Sequence, residues 1–551
     1  MRISRHGSVL SAMLLVALTA STSSAEVAIT GSTNEIQENV RGCSDGSGRY
    51  VVVWDSGLDP ARSDARVLVR RFDREGGALG SELQVSAGSN GQRNPSVACQ
   101  ADGSFLVVWT NDAGASVSGR FFDATGAPAA PEFTVNAVAA PPIESVGACA
   151  LPGGAYLAAW QGAAHPDNFF VRRFTTAGPA SGEVGIDGGG PATVANGRLL
   201  CRAAGDALVA WRDETAGVDR GQPLDGTPAL VGSAFVFDTS PQSGAPLQDL
   251  VMAPDGWLLA QWLDAVPAGL PRARRYSAAG VPLAPSFSSP GPCCGDTLAA
   301  IPPATITSEN EILLVVDRFP HGEYVRGYTY DADQTPIGGD LVFSSGREKR
   351  DPRRVIAGKD DDVLVVLAQS SGPDRLYGRL FNTRPISCSP TPLTGCYPAA
   401  AASFVVSNPT GDQRDHMGWK ATKVTGGPAR REVVSGHIAC VYDQHAGTPA
   451  LVHAVGGSVY GTCGLFVDSS CWKITAKGGL RWKHGDTISV DPTKVSMDTR
   501  FLRFDTPFSA TEYYDQDPAV IVQLSNTRGE CWSTAFTSAK KNTAEIYRAA
   551  Q

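Results

Sequence analysis

Short apolar runs recur along the first 385 positions, each closed by a bulky residue and followed about fourteen positions later by an aromatic or large aliphatic side chain. The closing residues are Trp54, Trp109, Trp160, Trp211, Trp262, Asp317 and Leu367, and the partners are Phe72, Phe122, Phe174, Leu224, Tyr276, Tyr330 and Phe381. The period between copies is close to fifty residues. The clearest copy reads Asn94-Pro95-Ser96-Val97-Ala98-Cys99, Asp102-Gly103, Phe105-Leu106-Val107-Val108-Trp109, Gly119-Arg120-Phe121-Phe122-Asp123, Gly126, and Glu132-Phe133-Thr134-Val135-Asn136. Apolar runs this short, bounded by Gly and Asp, predict four strands with a turn between each pair. Asp-Gly adopts a positive φ at low steric cost and so favours a tight hairpin between the first two strands. The same turn recurs at Asp45-Gly46, Gly153-Gly154, Gly205-Asp206 and Asp255-Gly256.

A repeat of this period with all-strand content is the pattern of β-propeller blades, each of which buries its faces only against its neighbours. Seven copies predict a seven-bladed propeller over residues 26–385; the alternative is a six-bladed ring, because the copy around Asp317 is the most degenerate. The matched aromatic positions read as the core between blades rather than as carbohydrate-stacking platforms. The seventh copy lacks a fourth strand, and Glu26-Val27-Ala28-Ile29-Thr30 is a strand without a copy of its own. The expectation is a clasp in which this N-terminal strand completes the last blade and removes an exposed edge.

Arg71-Phe72-Asp73, Arg173-Phe174, Arg275-Tyr276, Tyr330-Asp331 and Arg379-Leu380-Phe381, with Gly76, Gly126, Gly178 and Gly280 behind them, complete the motif. It resembles the tandem repeats of large secreted and cell-surface bacterial proteins, and the resemblance implies a β-propeller in an extracellular setting but no particular reaction. After a Pro- and Cys-rich linker at 386–398 the pattern changes. Residues 399–551 carry alternating strands such as Ser403–Ser407 and Val520–Leu524 and predict a smaller, β-sandwich-like C-terminal domain. Gly418-Trp419-Lys420, Cys471-Trp472-Lys473, Lys477-Gly478-Gly479 and Val522–Asn526 followed by Gly529-Glu530-Cys531-Trp532 are similar to an uncharacterised C-terminal domain of exported bacterial proteins.

Residues 1–25 have Arg2 and Arg5, the apolar run Val9–Leu18, and small residues up to Ala25. This reads as a secretory signal with cleavage before Glu26. No other stretch approaches the ~20 apolar residues that a membrane span needs, so the mature chain is expected to be secreted or periplasmic. Its charge is −10, divided into −12 over 26–385 and +2 over 386–551. An acidic repeat region matches nucleic acid poorly, because that binding rests on phosphate neutralisation by basic side chains. All 12 cysteines lie in the exported part: Cys43, Cys99, Cys149, Cys201, Cys293, Cys294, Cys388, Cys396, Cys440, Cys463, Cys471 and Cys531. An even number in an oxidising compartment favours disulfides. Cys43, Cys99, Cys149 and Cys201 fall ten or eleven residues before successive Trp positions. Pairs such as Cys43 with Cys99 and Cys149 with Cys201 are therefore conceivable across blades, with free buried thiols as the alternative.

Catalytic signatures are absent: no Gly-x-Ser-x-Gly, His-Glu-x-x-His, P-loop or dinucleotide fingerprint occurs. His416, His437, His445, His453 and His484 cluster in the C-terminal part, yet their spacing matches no compact zinc pattern. Asp360-Asp361-Asp362 and Asp331-Ala332-Asp333 read as solvated turns, with calcium as the alternative; no cofactor is expected. The sequence thus predicts a non-enzymatic exported binding or scaffold protein with a glycan or protein partner. The alternative is a loop-assembled extracellular hydrolase or lyase acting on polysaccharide or peptide, which would need two carboxyl groups at one mouth of the channel.

Overall fold

The computed structural model describes residues 27–31, 34–61, 63–88, 91–111, 116–137, 143–162, 169–186, 194–237, 247–263, 271–288, 303–317, 325–336, 341–342, 350–369, 375–383, 388–407, 416–424, 436–443, 448–458, 471–474, 480–483, 494–498, 501–507, 519–526, 529–543 and 546–551. The expected signal segment lies outside them. Among the described residues every regular element is a strand.

Seven small antiparallel sheets fill the first part of the chain. The first runs Ile36–Ser44, Tyr50–Gly57, Arg66–Phe72 and Leu83–Gln84, each strand beside the next. The others follow the same order; the third carries a fifth strand, and the segment around Asp317 forms its own four-stranded sheet from Ala304–Ile306 to Leu341–Val342. In the first four sheets the second strand is the most deeply buried. Every residue of Tyr50–Gly57 and of Phe105–Thr110 is buried, which explains why their stretches Tyr50–Trp54 and Phe105–Trp109 are continuously apolar rather than alternating. The turn entering Phe105–Thr110 needs Gly103, whose φ of 94° is one that other residues rarely adopt.

Each sheet packs face to face with the next through one buried apolar cluster. Val51, Val53 and Val69 of the first sheet meet Val97, Phe105 and Trp109 of the second. The last cluster returns to the beginning: Val40, Tyr50 and Trp54 pack against Ile356, Leu364, Val366 and Leu376 of the seventh sheet, with Ile29 between them. The first strands touch one another in the same cyclic order. They therefore surround a common axis, with the short fourth strands outermost.

The seventh sheet is built from both ends of this region. Val27–Ala28 pairs antiparallel with Leu376–Asn382, Val27 opposite Gly378 and Ala28 opposite Tyr377. The amides of Ile29 and Thr30 both donate to the Leu376 carbonyl, at 2.9 and 3.2 Å. Thr30 Oγ1 accepts from the Leu376 amide at 3.0 Å, and Ile29 is fully buried.

The C-terminal residues form a separate, twelve-stranded sheet system. Its two halves meet along Tyr397–Ser407, where Tyr397 pairs in parallel with Trp532. Phe404, Met417 and Trp419 of one half share a buried cluster with Val441, Val522, Leu524 and Trp532 of the other. The segment read as a linker is stapled to this system: Cys388 bonds Cys440 and Cys396 bonds Cys531.

Candidate functional site

The first strands carry the chemistry of the axis. Five of them break register at a matched place: between Glu38 and Arg41, Arg93 and Ser96, Ile143 and Ser145, Ala195 and Arg198, and Pro352 and Arg354. An extra residue at such a bulge re-aims the side chains that follow it. Two bulges use asparagine in the left-handed region, Asn39 at φ 50° and Asn94 at φ 54°, a conformation that Asn tolerates better than most residues. Asp55, fully buried just after Trp54, ties these two together: its Oδ2 accepts from Asn39 Nδ2 at 2.7 Å and from the Asn94 amide at 3.0 Å.

Beyond the bulge a column of matched residues faces from each sheet toward the next. It lies thirteen residues before each strand-closing residue and reads Arg41, Ser96, Gly147, Arg198, Asp249, Ala304 and Arg354. Six of the seven pair with the residue just before the closing position, as Arg41 with Val53, Arg198 with Ala210 and Arg354 with Val366; in the sixth sheet Ala304 pairs with Leu314. Ser96 Oγ accepts from the Ala148 amide at 3.0 Å. Arg198 Nη1 donates to Asp249 Oδ1 at 3.1 Å, and its Nη2 donates to the Gln248 carbonyl. Asp249 in turn accepts from the amides of Leu250 at 3.0 Å and Ala304 at 3.4 Å.

Arg41 sits within electrostatic reach of Arg354 and Arg198. Its side chain is exposed to solvent, with protein crowded around it. Desolvation by the surrounding protein, then the like charges of Arg354 and Arg198, push its guanidinium down to about 10, against the opposing pull of Asp249 and Asp55. The column thus offers fixed hydrogen-bond donors and positive charge. Its single carboxylate, Asp249, is already engaged by one guanidinium and two amides. Sequence reading did not single out these arginines, although the constant offset of thirteen was available to be tabulated.

The residues singled out from sequence fall elsewhere. Trp54, Trp109, Trp160, Trp211 and Trp262 are at most 2% exposed and lie in the packing between sheets. Phe72, Phe122, Phe174, Leu224, Tyr276 and Tyr330 are buried with them, whereas Phe381 is half-buried against the cluster of the sixth and seventh sheets. Cys43 bonds Cys99 and Cys149 bonds Cys201, with Cα separations of 5.7 and 5.6 Å. The members of each pair are not at equivalent positions: Cys43 and Cys149 oppose Val51 and Leu157, but Cys99 and Cys201 oppose Phe105 and Ala207, one register step further along. Cys293, Cys294 and Cys463 lie outside the described residues, and Cys471 opens the strand Cys471–Ile474.

The acidic turn at 360–362 corrects the expectation of solvated side chains. Asp361 and Asp362 are fully buried. Asp361 Oδ1 accepts from Ser308 Oγ and the Glu309 amide of the sixth sheet, while Asp362 binds Arg74 Nε at 2.6 Å and Asn382 Nδ2 at 2.9 Å. These carboxylates are braces between the sixth, seventh and first sheets. Asp331 caps its own turn by accepting from the Asp333 and Thr335 amides. His416, His437 and His453 lie on three C-terminal strands; His445 and His484 are outside the described residues. Among the described residues no group of three or more His, Cys, Asp or Glu is placed to hold a metal ion, and no helix is long and apolar enough to cross a membrane.

No protein-family model matches the chain, and no curated protein sequence matches it. Solved structures do align with it at low identity. One is a protein of unknown function from Dyadobacter fermentans, 11% identical over 65% of this chain and 98% of that one, with a TM-score of 0.40. Another is the α-L-arabinanase of Penicillium chrysogenum, 12% identical over 66% and 98% of the two chains, TM-score 0.40. A third is an α-L-arabinofuranosidase from Fusarium graminearum, 11% identical over 65% and 97%, TM-score 0.39. These superpositions are loose.

Proposed function

We propose that residues 26–385 form a seven-bladed β-propeller closed by its N-terminal strand, joined through 386–398 to a sandwich-like domain at 399–551. We propose further that the mature protein is an exported binding or scaffold protein that takes an extracellular or periplasmic ligand at the propeller axis. The observation that carries this reading is the axial column, where bulged first strands converge Arg41, Arg198 and Arg354 with a single, fully engaged Asp249. Binding needs such fixed donors. Acid–base hydrolysis of a glycoside usually needs two carboxyl groups facing one space, and this column supplies one. Four disulfides support the oxidising compartment.

The experiment is a glycan-array and pull-down screen with the whole mature chain, paired with turnover assays on polysaccharide and peptide substrates. Saturable capture without turnover is expected. Reproducible turnover by the purified protein would overturn the reading in favour of a hydrolase or lyase.

A further inference from the structure

The charges of the axial column do not balance. Arg198 is matched by Asp249. Among the described residues Arg41 donates to its neighbour alone, the Val40 carbonyl at 2.9 Å. Arg354 makes no hydrogen bond and no ion pair among the described residues, and its Nε is buried without an acceptor, as is that of Arg198. A buried guanidinium donor left without an acceptor is costly, because its water has been removed and nothing replaces it. Arg354 of the seventh sheet carries such a donor, and the solvent-exposed Arg41 of the first sheet adds like-charge repulsion beside it. Asp55 offsets part of the charge from one side, while its carboxylate is occupied by Asn39 and the Asn94 amide. One unit of positive charge and two planar donor forks are left facing the channel, and a guanidinium fork fits the paired oxygens of an oxyanion.

We propose that Arg41 and Arg354 bind a singly charged oxyanion group, a carboxylate or a sulfate ester, carried by the ligand at the axis, with the Arg198–Asp249 pair as the opposite wall. This deepens the binding reading and rests on it. The two oxyanion chemistries share this recognition and differ only in the probe that reveals them.

The test is calorimetric titration of the whole mature protein with acetate and, separately, with methyl sulfate, at constant ionic strength. One saturable site is expected for at least one probe. Binding should weaken roughly tenfold or more in Arg41→Gln and in Arg354→Gln, as loss of a charged hydrogen bond predicts. It should be unchanged in Arg353→Gln, whose exposed side chain lies on the same strand outside the column. Arg41→Lys, which keeps the charge but loses the fork, should be intermediate, and covers the case in which Arg41→Gln fails to fold. Uptake that is linear and equal in all variants would overturn the site as ordinary counterion attraction. Saturable binding unaffected by Arg41→Gln and Arg354→Gln would also overturn it. A neutral ligand from the array whose affinity is the same in both Gln variants would sink this inference and leave the binding reading standing; turnover of a polymer by a protein that still binds the probe would do the reverse.

Discussion

At the scale of single residues, five tryptophans are buried, and Trp54, Trp109, Trp160 and Trp211 each fill an apolar cluster shared by two neighbouring sheets. Trp109 is fully buried and donates from Nε1 to Asn111 Oδ1 at 3.2 Å. Trp109→Ala should cost about 3–5 kcal/mol, read as a lowered urea midpoint. These positions were legible in the sequence because a bulky apolar residue recurring at a constant interval has few uses other than packing. Arg41, Arg198 and Arg354 were not, because a bulge precedes each of them and strand periodicity alone does not say which way they point. The turn carboxylates add a pH dependence. Asp123 and Asp225 are held below the ordinary value of 3.8, first by the hydroxyls of Thr125 and Thr227 and then by turn amides. Their ionised forms favour the fold, so their contribution is complete above 3.8 and is lost as pH falls through their lowered values. Asp219 behaves oppositely: burial raises it in spite of Arg212 and the Leu247 amide, so its contribution is present at low pH and fades as pH rises through the raised value. A melting-temperature profile in acid should therefore fall below about 4, and Asp219→Asn should flatten the opposing trend without moving the fall itself.

Among the elements, the N-terminal strand and the inter-sheet disulfides do similar work by different means. Removing residues 26–30 takes away the pairing with Leu376–Asn382 and the buried Ile29. The seventh sheet would then expose an edge, and the expected outcome is a lower melting temperature with aggregation on heating, followed by light scattering. A truncated protein as stable as the intact chain would refute the clasp. The disulfides Cys43–Cys99 and Cys149–Cys201 close loops of 56 and 52 residues. Loop entropy assigns each roughly 4 kcal/mol at most. Replacing either pair by serine should lower the denaturant midpoint, and the two losses should add, because they lie at different seams. The one-step register offset within each pair is the difference between spacings of eleven and ten to the closing Trp, because the pairing is regular between each bulge and the hairpin turn.

For the whole molecule, the repeat and the change in pattern after residue 385 were legible, whereas the course of the intervening segment was not. It reads as a linker by composition, yet two disulfides fasten it to the C-terminal strands. A chain stopped after Pro385 should keep the stability of the repeat region, as scanning calorimetry would show. One stopped at 395 leaves Cys388 without Cys440 and should form disulfide-linked dimers on a non-reducing gel. The pairing of Val27 with Gly378 has a mechanical consequence as well. Because the two strands run antiparallel, residue 26 and the chain beyond Asn382 leave the seventh sheet from the same end. Tension applied between the N-terminus and the C-terminal strands would load the backbone bonds of Val27–Thr30 one after another, like a zip, and never all at once in shear. The ring would open at low force when pulled by its ends, however well it resists heat.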